Sequence, residues 1–95
     1  MQLSFAWDPE KARTNLAKHG ISFEEAGEVF MDPLSITLPD AAHSLSSDDR
    51  EILVGRSESG QLLVVLHSEM NDDVRIISAR RATRRERVAY EEGGA

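Results

Sequence analysis

At 95 residues, 40% hydrophobic and 29% charged, the chain is long enough for one domain and too apolar for a disordered segment. It has no cysteine, which excludes disulfides, thiol nucleophiles and cysteine-ligated zinc and suits a reducing cytoplasm. The formal charge of −6 argues against general nucleic-acid binding, yet residues 75–87 hold six arginines and one glutamate, a local +5 that leaves −11 for the remainder.

Near the amino terminus, Leu3, Phe5 and Trp7 alternate with polar or small residues, the period of a short strand with one apolar face. Asp8 then caps a helix with Pro9 at its first position, and Gly20 ends it. Ser22 and Glu25 form a capping box for a second helix, whose buried stripe is Phe23, Ala26, Val29 and Phe30 and which Asp32-Pro33 closes. Alternation returns at Leu34, Ile36 and Leu38, and residues 39–49 read as a polar loop. Strands are expected over residues 51–56, 61–68 and 74–79, joined by connectors short enough for antiparallel hairpins. A last capping box, Thr83 with Glu86, opens a helix running to about Tyr90, and residues 91–95 form a frayed tail. The order predicts a single α+β domain over residues 1–95, its helices packed on one face of an antiparallel sheet.

No export signal precedes Asp8, and the longest apolar run, residues 62–66, is far short of the about 20 residues a membrane helix takes, so no membrane association is expected. The chain also lacks a glycine-rich phosphate loop, a nucleophile elbow and paired zinc ligands.

Candidate chemistry centres on His67 and Glu69, which share a strand face, and on Arg80, which shares one with Ser78. An imidazole and a carboxylate beside guanidinium groups suit RNA cleavage: a base takes the 2′-hydroxyl proton, the oxygen attacks phosphorus, and an acid protonates the leaving oxygen. Arginine stabilises the charge growing on phosphorus, and its planar fork suits phosphate better than lysine. A structural role for His67 is the bland alternative, and metal binding by His67 and Glu69 another, although two ligands make only half a tetrahedral site. His19 reads as a helix-terminal residue, His43 as surface and Trp7 as a core anchor.

Two blocks of sequence carry a resemblance. The first is Phe5-Ala6-Trp7-Asp8-Pro9-Glu10-Lys11 with Asn15, Lys18-His19-Gly20-Ile21-Ser22-Phe23, Ala26 and Val29-Phe30-Met31-Asp32-Pro33. The second is Gly55-Arg56-Ser57, His67-Ser68-Glu69 and Arg75-Ile76-Ile77-Ser78-Ala79-Arg80-Arg81-Ala82-Thr83, with Glu86 and Tyr90. Together, over about residues 5–92, they resemble the BrnT family of toxins. The resemblance implies a compact RelE-like fold and a metal-independent endoribonuclease, without cofactor, that inhibits translation in the bacterial cytoplasm. It implies a BrnA-like antitoxin with a ribbon-helix-helix region as partner, and operator DNA reached only through that complex. Family function attaches to Arg56, His67, Glu69, Arg80 and Tyr90 as catalytic positions, and to Arg81, which joins Arg84 and Arg87 of the cationic run in binding RNA. An antitoxin segment is expected to lie across this same run. Where the family often carries a further arginine, the chain has Met70 followed by Asn71-Asp72-Asp73. That departure supports an alternative: a non-catalytic or attenuated homologue that binds antitoxin and co-regulates its operon.

Overall fold

The computed structural model describes residues 4–39, 50–70 and 72–93. The polar loop expected at residues 39–49 lies, beyond residue 39, outside the described residues, as do Leu3, His43, Asn71 and residues 94–95. The elements run β1 (Ser4–Ala6), α1 (Pro9–His19), α2 (Phe23–Glu28), a 3-10 turn (Val29–Met31), β2 (Ile36–Pro39), β3 (Arg50–Arg56), β4 (Leu62–Met70), β5 (Asp73–Arg81) and α3 (Arg84–Glu91).

Local chemistry explains the helix ends. The Asp8 side chain accepts the Glu10 N–H at 2.9 Å, and Gly20 adopts φ 71° while its own N–H closes on the Leu16 carbonyl, so α1 starts and stops where its cap and left-handed residue require. At α3 both halves of the capping box form, between Thr83 and Glu86. At α2 only one half does. Ser22 accepts the Glu25 N–H, but the Glu25 carboxylate turns to the β3–β4 hairpin and accepts from Ser57, Ser59 and Gln61.

The five strands are ordered β1-β5-β4-β3-β2. β2 to β5 are antiparallel neighbours, as the short connectors imply, whereas β1 pairs with β5 in parallel. The sheet is therefore mixed at one edge. Short connectors could not reveal this, because β1 and β5 are separated by most of the chain.

The expectation that all helices share one sheet face is also corrected. α1, α2 and the 3-10 turn cover one face through Ile21, Phe23, Ala26 and Val29, which pack on Leu53, Leu63, Val65, Ile76 and Ala79. α3 covers the other through Tyr90, over Val54, Leu62 and Val64. The reason lies in β4, where residues 62–65 are buried one after another. A strand apolar on both faces needs cover on both.

A buried amide and a strand bulge hold the halves in register. Asn15, buried in α1, donates to the carbonyls of Ile21 and Ala79 at 2.9 Å each and accepts the Ala79 N–H at 3.1 Å, so its amide ties helix to sheet. On β5, Ile76 and Ala79 belong to one core although they are three residues apart. The register pairs Leu66 with Ser78 and His67 with Ile76, leaving Ile77 as a bulge that restores the shared face.

Candidate functional site

Three of the residues singled out from the sequence come together on the α3-covered face. Arg56 ends β3 opposite Leu62, and Arg80 lies on β5 opposite Val64, so the two guanidinium groups flank β4, while Tyr90 descends onto the same face from α3. The Arg56 guanidinium lies over the Tyr90 ring, 5.5 Å from its centroid, within cation–π range.

Asp32 organises this corner, a role sequence reasoning missed because it marks only the end of the second helix. Its Oδ2 accepts the Tyr90 hydroxyl at 2.7 Å and the Arg56 N–H at 2.8 Å, and its Oδ1 accepts the Leu34 N–H at 2.9 Å. Burial pushes its carboxyl up, but these hydrogen bonds and the Arg56 charge outweigh burial and hold it below the usual carboxylate range. Burial and the adjacent Asp32 push the Tyr90 hydroxyl above its ordinary value. The phenol therefore stays protonated near neutrality and anchors α3.

Arg80 has a comparable clamp in Glu86, which the sequence shows only as a capping residue. Nη1 and Nη2 donate to the two carboxylate oxygens at 2.8 Å each, and Nη1 also reaches the Arg81 carbonyl at 3.2 Å. The guanidinium and the Thr83 cap outweigh burial and pull Glu86 down to about 2. The clamp uses the end of the guanidinium. Among the described residues the parallel donors along its other edge, Nε–H and the second Nη2–H, have no partner. Arg56 is held more loosely, its Nη1 donating to the Gly60 carbonyl at 3.0 Å and its guanidinium resting against Tyr90. A planar fork fixed at its far end with its near edge open, as in Arg80, and a second guanidinium across the strand suit the non-bridging oxygens of a phosphate.

His67 and Glu69 lie elsewhere. His67 is 3% exposed on the face covered by α1 and α2, with its ring edge-on to Phe30 at 4.9 Å. Neither ring nitrogen has a hydrogen-bond partner among the described residues. Burial lowers its pKa against the opposing pull of Glu51, across the ladder, and exposed Glu69. The structure thus puts the imidazole on the sheet face opposite the Arg56 and Arg80 guanidinium groups.

A pH effect follows from this burial. The folded chain holds His67 neutral below its ordinary 6.5, so the unfolded chain takes up that proton first, and the stability this residue contributes is intact above about pH 6.5 and is lost as pH falls towards the folded value. Thermal unfolding of His67→Leu is expected to show a shallower loss of midpoint between about pH 6.5 and 5 than the wild-type chain. An unchanged slope would remove His67 as its source.

The cationic run divides in the same way. Arg81 donates from Nε to Gln61 at 3.0 Å and from Nη1 to the His19 carbonyl at 3.2 Å, whereas Arg84 and Arg87 are exposed on α3 and have no partner among the described residues. No three His, Asp or Glu side chains among the described residues gather at a spacing that would hold a metal ion. No helix among them is long and apolar enough to cross a membrane.

Comparison with known proteins gives this geometry its context. No curated protein sequence matches the chain. Among solved structures it is similar to the Brucella abortus ribonuclease toxin BrnT, with a TM-score of 0.69 and 26% identity over 87% of this chain and 100% of that one. A family model for the ribonuclease toxin BrnT of type II toxin–antitoxin systems matches residues 7–86. Spanning most of the domain, that match shows that the chain belongs to the BrnT family of ribonuclease toxins.

Proposed function

We propose that the chain is an endoribonuclease that cleaves RNA without a metal ion, inhibits translation in the cytoplasm and is neutralised by a BrnA-like antitoxin carrying a ribbon-helix-helix region, through which alone it reaches operator DNA. The RelE-like character expected of its fold belongs to this reading. The observation that carries it is the convergence of Arg56, Arg80 and Tyr90, from β3, β5 and α3, on one sheet face.

In this reading the 2′-hydroxyl oxygen gives its proton to a base and attacks the adjacent phosphorus. The bond to the 5′-oxygen breaks and that oxygen leaves with a proton, while the open edge of Arg80 with the Arg56 guanidinium holds the non-bridging oxygens as charge accumulates there. Glu86 keeps the Arg80 fork aimed, while Asp32 fixes the Arg56 backbone and the Tyr90 ring against which the Arg56 guanidinium lies, so little reorganisation is needed at the moment of reaction. Tyr90 forms the wall behind Arg56. Glu69 is exposed on the face opposite the two arginines, and a share for His67 in proton transfer requires the Phe30 contact to open. His67→Gln tests it: a preserved rate assigns His67 to the core, whereas a loss of about 10²-fold with the fold intact returns it to catalysis.

A specific observation favours the second reading, an attenuated homologue that binds antitoxin and co-regulates its operon. The imidazole is buried away from the forks, and both carboxylates beside them are hydrogen-bonded and below their ordinary pKa, which makes them weak bases. Incubation of purified protein with RNA and a strong chelator separates the two. Cleavage that survives the chelator is expected. Cleavage only after a divalent metal is added would overturn metal independence, and RNA left intact by a protein that still binds antitoxin would establish the second reading.

A further inference from the structure

Three of the cavities on the described surface differ in charge. One, between α1 and β5, is lined by Glu10 as well as Lys11 and Lys18; another, apolar, by Glu24 and Glu28 beside Phe5, Trp7 and Met31. The third, about 280 Å³, is lined by Gly60, Gln61, Leu62, Arg81, Ala82 and Arg87. It alone among them has two guanidinium groups and no carboxylate in its wall.

Its position ties it to the candidate site. The Gly60 carbonyl is held by Nη1 of Arg56, and the Arg81 carbonyl by Nη1 of Arg80, so each fork is bonded to a different wall of this cavity. Arg81 is fixed by Gln61 and the His19 carbonyl, and its remaining N–H groups have no partner among the described residues. Arg87 brings a second guanidinium with all its donors free among the described residues. Arg84 and Arg85, of the same helix and the same charge, do not line the cavity.

We propose that this cavity is a phosphate subsite that takes one RNA phosphate neighbouring the scissile one, with Arg87 and Arg81 as its ligands; the proposal rests on the ribonuclease reading. The cavity fixes where along the strand the chain is held, and Arg84 and Arg85 supply only the general field. Phosphate contacts set register and orientation even where no base is read, so the subsite positions the scissile linkage between Arg56 and Arg80.

The test uses a short 2′-O-methyl oligoribonucleotide, which binds but cannot be cleaved through its 2′-oxygen, with each phosphate in turn replaced by a neutral methylphosphonate. Fluorescence anisotropy of the full chain is expected to show one internal position whose neutralisation weakens binding about tenfold, the loss of one charge-assisted contact. In Arg87→Ala that position is expected to become indistinguishable from its neighbours. In Arg84→Ala the positional pattern should persist while overall affinity and salt dependence fall. Arg87 is exposed and alanine favours helices, so circular dichroism should show the fold retained. Equal small losses at every position, identical Arg84→Ala and Arg87→Ala profiles, or no binding overturn the subsite. Binding of inorganic phosphate alone, with no positional pattern in the oligonucleotide, overturns it in favour of a small-anion site. A positional pattern that persists while 2′-hydroxyl RNA stays intact upholds the subsite and refutes the ribonuclease reading. Cleavage without a positional pattern does the reverse.

Discussion

Replacing Arg80 with alanine is expected to lower single-turnover RNA cleavage by about 10²–10³-fold, the usual cost of removing one preorganised donor aimed at developing charge. The geometry makes the prediction sharper than charge alone. Because Glu86 holds the far end of the guanidinium, the open edge presents two parallel N–H groups in a fixed direction. Lysine keeps the charge but has neither the fork nor the second bond to Glu86. Arg80→Lys should therefore be nearly as defective as Arg80→Ala, whereas simple electrostatic attraction would leave it close to wild type. Stability should change little, since the pair is a partly exposed one worth about 1 kcal/mol or less after solvent screening. Glu86→Gln distinguishes aiming from charge. It can still cap α3 but grips Arg80 at one atom, so kcat should fall while KM moves little. Wild-type cleavage by the Arg80→Lys variant, with its fold confirmed by circular dichroism, would remove Arg80 from the site.

The parts of this arrangement that were legible in the sequence are those governed by neighbours along the chain. Asp8, Pro9, Gly20 and Thr83 act within a turn of helix, so their spacing declares their role. Trp7 was readable as a core anchor because a large aromatic beside a cap has little choice, and it packs edge-on to Phe23 at 5.8 Å. Membership of the family was legible because two separated blocks occur in order. Hidden were the relations that close over long separations. Asp32 meets Arg56 and Tyr90 across 24 and 58 residues, and Asn15 meets Ala79 across 64, and no local period encodes such partners. Strand parity placed His67 with Glu69 but was silent on which face of the sheet either would join. That depended on α3 crossing to the opposite side, which the consecutive apolar residues of β4 required.

The same long-range closure makes Gly55→Ala a second large-effect variant. Gly55 lies in β3, where any residue's φ is acceptable; space is what its lack of a side chain provides. A Cβ there would stand 2.8 Å from Cγ1 of Val29, 3.0 Å from Cβ of Ser35 and 3.2 Å from Oδ2 of Asp32. Val29 is fully buried and β-branched, and the Ser35 Cβ moves only with its backbone, so neither can swing aside as a flexible chain end would. The 3-10 turn must lift from the strand. Overpacking of this kind costs about 1–3 kcal/mol, and in a domain of this size each kcal/mol lowers the midpoint by about 4–8 °C. The turn leads directly into Asp32, whose bonds to the Arg56 backbone N–H and the Tyr90 hydroxyl fix the corner of the site. Cleavage should consequently fall even well below the unfolding midpoint. Gly20→Ala supplies the control. Gly20 has φ +71° and nothing within 4 Å, so alanine there costs about 1–2 kcal/mol through the backbone alone and leaves Asp32 in place. At a temperature where both variants are folded, Gly20→Ala should cleave RNA like the wild type and Gly55→Ala should not. Equal activity of the two would mean that the approach of the turn to β3 serves stability only, and that Asp32 does not aim the site.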